Sequence, residues 1–307
     1  ARWGRVMEGA GEDVCLNVQA AIARIKGFQG DDLSKVDTIA ACAKHFAGYG
    51  FAEAGREYNT TEIGNVTLHN QVLPPFKAAV KAGVATFMNG FNELNGTPVT
   101  ANKYLQRDLL KGEWNFDGLV VSDWGSIVEL MNHGLAKDEI QAAELAVKAG
   151  SDMDMEGFSY EVALVDLVKS GKVDEALIDD ACRRILTLKF QLGLFEDPFK
   201  YCDEAREKAV ILSKENLAVA RDAARKSIVL LKNDNKLLPI KAAVKTIAVI
   251  GPFADDKNSP LGSWRAQAIP DSAVSLLEGV QNAVGENIEV LYAKGVAASS
   301  GIREFIH

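Results

Sequence analysis

The sequence predicts an α/β protein built on parallel strands, with a second α/β domain following the first. Three observations carry this. Short apolar runs that end abruptly in polar residues and lead into helical stretches recur four times before Leu194. One of them, Leu119-Val120-Val121, has no polar interruption, as suits a parallel strand covered on both faces. The pattern then breaks at Leu194-Phe195-Glu196-Asp197-Pro198-Phe199, and a further strand, helix and strand come after it.

Apolar residues at helical spacing from Glu12 to Ile25 (Val14, Val18, Ala21, Ile22, Ile25) predict a helix that stops before Gly27. Thr38 to Ala43 is expected as a buried strand ending in Lys44-His45. A Gly-rich loop, Phe46 to Gly55, separates it from a helix expected to open at Thr61 and to continue around Pro74-Pro75 to Gly83. Val84 to Met88 reads as the next strand, with a polar tip from Asn89 through Asn95. A helix over Asn102 to Glu113 then leads to the Leu119–Val121 strand, which delivers Ser122 and Asp123. Helices over Ser126–Asn132 and Asp138–Lys148 precede a short strand at Gly150–Met155, and amphipathic patterns over Tyr160–Val168 and Glu175–Leu192 complete the unit. The charged stretch up to Lys214 reads as a linker. Beyond it, a long helix (Lys214–Asn233), a strand (Lys245–Ile250), a helix (Ala273–Val284) and a strand (Ile288–Ala293) enter a second α/β domain.

A (β/α)8 barrel needs about eight strand–helix units in roughly 250 residues. Four such units fit either a doubly wound open sheet or the C-terminal part of a barrel whose first strands lie upstream of Ala1, and the truncated barrel is the preferred reading. The expected division is residues 1–197 for the partial barrel, 198–213 for the linker and 214–307 for the partial second domain.

Bulk properties narrow the partners. The 307 residues carry a net charge of -8, which opposes nucleic acid or an anionic membrane as a partner and leaves a neutral small molecule as the easier ligand. No run approaches the roughly 20 apolar residues of a membrane span. Cys15, Cys42, Cys182 and Cys202 are scattered singly and are expected as small buried hydrophobes. His45, His69, His133 and His307 lack second ligands at metal-binding spacing, so no metal and no cofactor is expected. Gly251-Pro252 lacks the successive free amides of a phosphate loop, and Ser122 has no GxSxG elbow.

The strand tips therefore hold the chemistry: Lys44, His45, Asn89, Asn92, Asp123 and Asp152, which a barrel would gather at one end. A lone strand-end Asp is as readily a cap for the helix near Ser126. Ringed by Lys, His and Arg, however, Asp123 would have its pKa lowered and stay ionised, as a nucleophile requires. Lys44 by itself also suits a Schiff base.

Arg2-Trp3-Gly4-Arg5, Glu8-Gly9-Ala10-Gly11-Glu12-Asp13, Ala43-Lys44-His45-Phe46-Ala47-Gly48-Tyr49-Gly50, Asn95-Gly96-Thr97-Pro98 and the Asp123 stretch resemble, in order and approximate spacing, glycoside hydrolase family 3. The likeness is to its bacterial periplasmic-type β-glucosidases, and it extends through Leu230-Leu231-Lys232-Asn233 and Gly262-Ser263-Trp264. It implies a (β/α)8 TIM-type barrel followed by an α/β sandwich domain. Carried over, it makes Asp123 the nucleophile of a retaining, exo-acting β-glucosidase. Arg5, Lys44 and His45 match positions that hold sugar hydroxyls. Arg56, Met88 and Trp124 match further wall positions, and Trp264 a sandwich segment facing the cleft. Phe91 stands where many members have Tyr, which removes a hydroxyl that would bond the nucleophile. The acid/base is expected beyond residue 307, and Phe51 to Tyr58 lacks the His that marks the N-acetylglucosaminidase branch. Glu57, Glu93 and Asp152 are read as solvated or structural carboxyls.

The resemblance further implies a β-glucoside or oligosaccharide partner and a periplasmic or secreted location, and leaves a homo-oligomer open. β-Xylosidase or broader β-glycosidase action, a non-catalytic sugar-binding fragment and a Lys44 aldolase are the alternatives.

Overall fold

The computed structural model describes residues 2–241, 243–262 and 264–296. The chain divides into two compact units between Ala209 and Val210.

In the first unit, Asp13 caps α1 (Val14–Gln29) by accepting from the Leu16 amide, and Gly30, at φ 55°, ends it. The helix runs through Gly27 to Gln29, four residues beyond the predicted Ile25, because the positive-φ residue that terminates it is Gly30. Strand β1 is Cys42–Phe46, later than the predicted Thr38–Ala43. The Gln29 side chain explains the shift: its oxygen accepts from the amides of Ala41 and Ala85, occupying the groups that would otherwise begin a ladder.

No helix opens at Thr61. Thr61 and Ile63 instead bond to the side chains and backbone of Asn92 and Asn95, which holds this segment extended. The helical course starts at α2 (Asn65–Thr67), passes a π-helical stretch (Leu68–Val72) and becomes α3 (Pro74–Lys81), which packs on α1. Strand β2 (Thr86–Asn89) follows, then a two-residue hairpin pair, β3 (Glu93–Leu94) and β4 (Thr97–Pro98), and a π-helical stretch over Tyr104–Glu113. Strand β5 (Leu119–Val121) is buried at all three residues. Its entry admits only glycine, since a Cβ at Gly118 would collide with the Ala85 carbonyl and the Phe116 ring.

The expected helix over Ser126–Asn132 reduces to a single 3-10 turn, Val128–Leu130. Asp138 caps α4 (Glu139–Ala149), and α5 (Ser159–Lys169) and α6 (Glu175–Gln191) follow. Arg184 of α6 donates to the carbonyls of Phe116 and Gly118 at 3.0 and 2.8 Å, pinning the start of β5. The Gly150–Met155 segment meets β5 through a single parallel bridge, Val121 to Met153.

Strands β1, β2 and β5 pair in parallel and in chain order. This is the order expected of an arc of a (β/α)8 barrel. Behind the arc, Phe46, Phe87 and Phe116 meet edge to face at 5.3 and 4.9 Å within the main apolar cluster. Side chains alternate along β1, so with Phe46 in that core, His45 faces the other way.

Three further expectations change. The stretch read as linker holds a helix, α7 (Glu204–Val210). The long helix, α8 (Lys214–Ser227), stops six residues short of Asn233, where the β-branched pair Ile228-Val229 favours extended backbone. All four cysteines are exposed rather than buried.

In the second unit, β6 (Thr246–Ile250) and β7 (Glu289–Ala293) pair in parallel, joined through α9 (Leu276–Val284), whose Ser275 cap bonds the Glu278 amide. Val249, Ala254 and Leu277 form its small core.

Candidate active site

Asp123 stands two residues beyond β5 and is buried. The strand end is fixed from the side: the Ser122 amide donates to the Met153 carbonyl at 2.9 Å, and the Met155 amide to Ser122 Oγ at 2.8 Å. Asp123 Oδ1 accepts from the Trp124 amide at 2.7 Å. A helix cap would accept from the amide two or three residues on, at Gly125 or Ser126. Oδ2 is instead buried with no hydrogen-bond partner.

Oδ2 lies 3.4 Å from His45 Nε2. That nitrogen is 3.1 Å from an Arg5 terminal nitrogen. Burial, followed by the Lys44 and Arg5 charges, pushes the imidazole pKa down to about 3, so His45 is neutral at physiological pH. A guanidinium only donates, so Nε2 accepts from Arg5 and the ring proton resides on Nδ1. Nε2 therefore has no proton to offer Asp123, and the 3.4 Å approach is not an ion pair.

Arg5 sits on a 3-10 turn, Gly4–Glu8. Its Nε and one terminal nitrogen donate to the two Glu8 oxygens at 2.6 and 2.9 Å. The other terminal nitrogen donates to the Tyr49 hydroxyl at 2.9 Å and to Glu57 Oε1 at 3.3 Å. Tyr49 donates in turn to Glu57 Oε1. The bond to Arg5 holds the Glu8 carboxyl below its ordinary pKa.

Asp123 departs from expectation. Its pKa is raised, because burial outweighs the Trp124 amide and the charges of Lys44 and Arg5, and Glu57 adds repulsion. The Lys44 and Arg5 charges do not outweigh burial, and neutral His45 adds none. Nearby, burial and the charges of Asp123 and Glu57 push Glu129 up to about 7, and one of its oxygens is buried without a partner. The Tyr58 phenol is pushed up to about 12 by burial and by Glu129, Glu57 and Asp123.

The remaining expected site residues divide. Lys44 is exposed on β1, close enough for its charge to act on both Asp123 and His45. Half-buried Met88 pairs with Val121, next to the Asp123 loop. Phe91 is buried and packs on Tyr58 at 4.6 Å and Tyr49 at 6.3 Å, and Trp124 is exposed beside Asp123. Arg56 is exposed, and among the described residues no hydrogen bond joins its side chain to this group. Trp264 is exposed in the second unit.

Three strand-tip residues serve the scaffold instead. Asn89 bonds Ser151, and Asn92 bonds Ala47, Thr61 and Glu93. Asp152 takes the buried Lys111 ammonium at 2.5 Å and the Val120 amide at 2.8 Å. Sequence reasoning gave no role to Glu8, Tyr49, Tyr58 or Glu129, and it set Glu57 aside. Glu8 and Tyr49 lie inside the motifs, but nothing local reveals that both serve Arg5. Among the described residues, no group of three or more His, Cys, Asp or Glu is arranged to hold a metal ion, and no helix is long and apolar enough to cross a membrane.

Comparison with known proteins bears on this arrangement. The chain is 42% identical over 311 residues to the periplasmic beta-glucosidase of Salmonella typhimurium, covering all of this chain and 40% of that protein. It is 38% identical to a beta-xylosidase of Formosa agariphila, covering 99% of this chain and 44% of that one. Among solved structures, it matches the beta-glucosidase from Listeria innocua in complex with glucose at a TM-score of 0.88 and 40% identity, over 99% of this chain and 42% of that one. The chain thus spans less than half the length of these relatives. Residues 1–188 match the family model of the glycosyl hydrolase family 3 N terminal domain, and residues 228–303 that of the C-terminal domain. The chain belongs to glycosyl hydrolase family 3.

Proposed function

We propose that the protein carrying this chain is a retaining, exo-acting β-glucosidase that removes terminal β-linked glucose from oligosaccharides or glucosides, with Asp123 as nucleophile. The observation that carries the reading is Asp123 Oδ2, a buried carboxylate oxygen without a protein partner, on a carboxyl whose other oxygen is fixed by the Trp124 amide. Oδ2 attacks the anomeric carbon and the glycosidic C–O bond breaks, while a second carboxyl protonates the departing oxygen. Water then cleaves the glycosyl ester with the same carboxyl acting as base. Arg5, Lys44 and His45 hold the hydroxyls of the reacting sugar, and the Trp124 ring gives it an apolar face, with Met88, Phe91 and Arg56 as further wall positions.

Glucose is favoured by the names of two of the relatives, and the beta-xylosidase among them makes xylose the second reading. Membership in a hydrolase family does not favour a non-catalytic sugar-binding role. A periplasmic or secreted location rests on the name of the Salmonella relative.

Retention is tested by following product configuration in a full-length protein. NMR of early turnover on an aryl β-glucoside should show β-glucose first, and α-glucose would contradict double displacement. Asp123→Asn should lower turnover by on the order of 10⁴-fold or more, with the circular dichroism spectrum unchanged. A reducing-end-labelled oligosaccharide should lose one glucose at a time from the other end.

A further inference from the structure

We infer that Tyr49 and Glu57 are a positioning pair that fixes the Arg5 fork, and with it the place where a sugar hydroxyl is held. This rests on the proposed reading of Arg5 as a sugar contact. Arg5 belongs to a five-residue turn with no buried residue, so its own element does little to hold it. The two bonds to Glu8 come from the same turn and orient the fork only within it.

Arg5 meets β1 through His45 Nε2 at 3.1 Å, and the outer face of the fork adds a second set of bonds. One terminal nitrogen donates to the Tyr49 hydroxyl at 2.9 Å and to Glu57 Oε1 at 3.3 Å, and Tyr49 closes the ring by donating to that same Glu57 oxygen. The phenol thus accepts from the guanidinium and donates to the carboxylate at once, which phenylalanine cannot do. Its ring is itself fixed. Tyr49 is 7% exposed, meets Trp3 edge-on at 5.2 Å and His45 at 4.7 Å, and lies under the Arg5 guanidinium at 5.1 Å. Because Tyr49 leaves β1 only three residues after Phe46, it carries the position of the His45 strand over to the Arg5 turn.

Tyr49→Phe, in a full-length protein, removes one oxygen. KM for an aryl β-glucoside should rise about tenfold while kcat changes by less than about threefold. Glu57→Gln keeps an acceptor oxygen and should recover most of the KM lost in Glu57→Ala. It also removes a negative charge that acts on Asp123, which otherwise faces Lys44, Arg5, neutral His45, the Trp124 amide and Glu129. The acidic limb of kcat/KM should therefore move to lower pH in Glu57→Gln, a shift that a merely structural role would not produce. Glu57→Gln also keeps the test decisive if Tyr49→Phe fails to fold. Unchanged KM in Tyr49→Phe and in Glu57→Ala, with a labelled Asp123 and normal wild-type turnover, would overturn the pair and leave the proposed function standing. Wild-type protein that turns over without labelling Asp123 would overturn both.

Discussion

Asp123 keeps one oxygen open because the nearest ring nitrogen, His45 Nε2, is already accepting from Arg5. The open oxygen is also why burial dominates its pKa, since no donor offsets the lost water on that side. Lys44 acts in the opposite direction, lowering the Asp123 pKa through its charge. Lys44→Met should therefore move the acidic limb of kcat/KM to higher pH, whatever it does to the plateau. A pH–rate profile checks this, and a limb that stays in place would mean that Lys44 does not act on Asp123. His45, neutral down to about pH 3, should contribute nothing to that limb. Asp123 and the Lys44-His45 pair were legible in the sequence because an apolar strand ending in a polar tip is a local pattern. The direction of the Asp123 pKa was not, because it depends on one hydrogen bond that is missing.

Among the elements, the seam between β5 and the Gly150–Met155 segment is what places Asp123. Asp152, 1% exposed at its side chain, ties the Lys111 ammonium to the Val120 amide. Removing it strands a buried cation and an amide, so Asp152→Ala should cost roughly 3–5 kcal/mol and Asp152→Asn less, as read by denaturant unfolding. No sequence window joins Lys111 to Asp152, so the sequence leaves Asp152 as one strand-tip carboxyl among several, solvated or structural, without naming its partner. The turn after β5 holds a second consequence. Glu129 is raised to about 7 from an ordinary value of 4.5, so the folded state binds more protons than the unfolded state between these pH values. Stability should fall as pH rises through that window. Glu129→Gln should flatten the fall in melting temperature between about pH 4.5 and 7. An equal slope in both proteins would show that Glu129 is not responsible.

On the scale of the whole molecule, the rhythm of strand, polar tip and helix gave the α/β class, and the chain-order pairing of β1, β2 and β5 fits a barrel arc, as the likeness to solved family 3 β-glucosidases does. The boundaries slipped where distant residues intervene, as Gln29 does at Ala41 and Asn95 at Ile63. Residue periodicity reports which face is buried but not which side chain replaces a ladder bond. Every functional proposal here converges on one bond, from Asp123 to an anomeric carbon. The most direct test incubates a full-length protein with a 2-deoxy-2-fluoro glucoside and maps the modified peptide by mass spectrometry. The label is predicted on Asp123, and a label on any other residue, or turnover of the reagent with no covalent adduct, would contradict it.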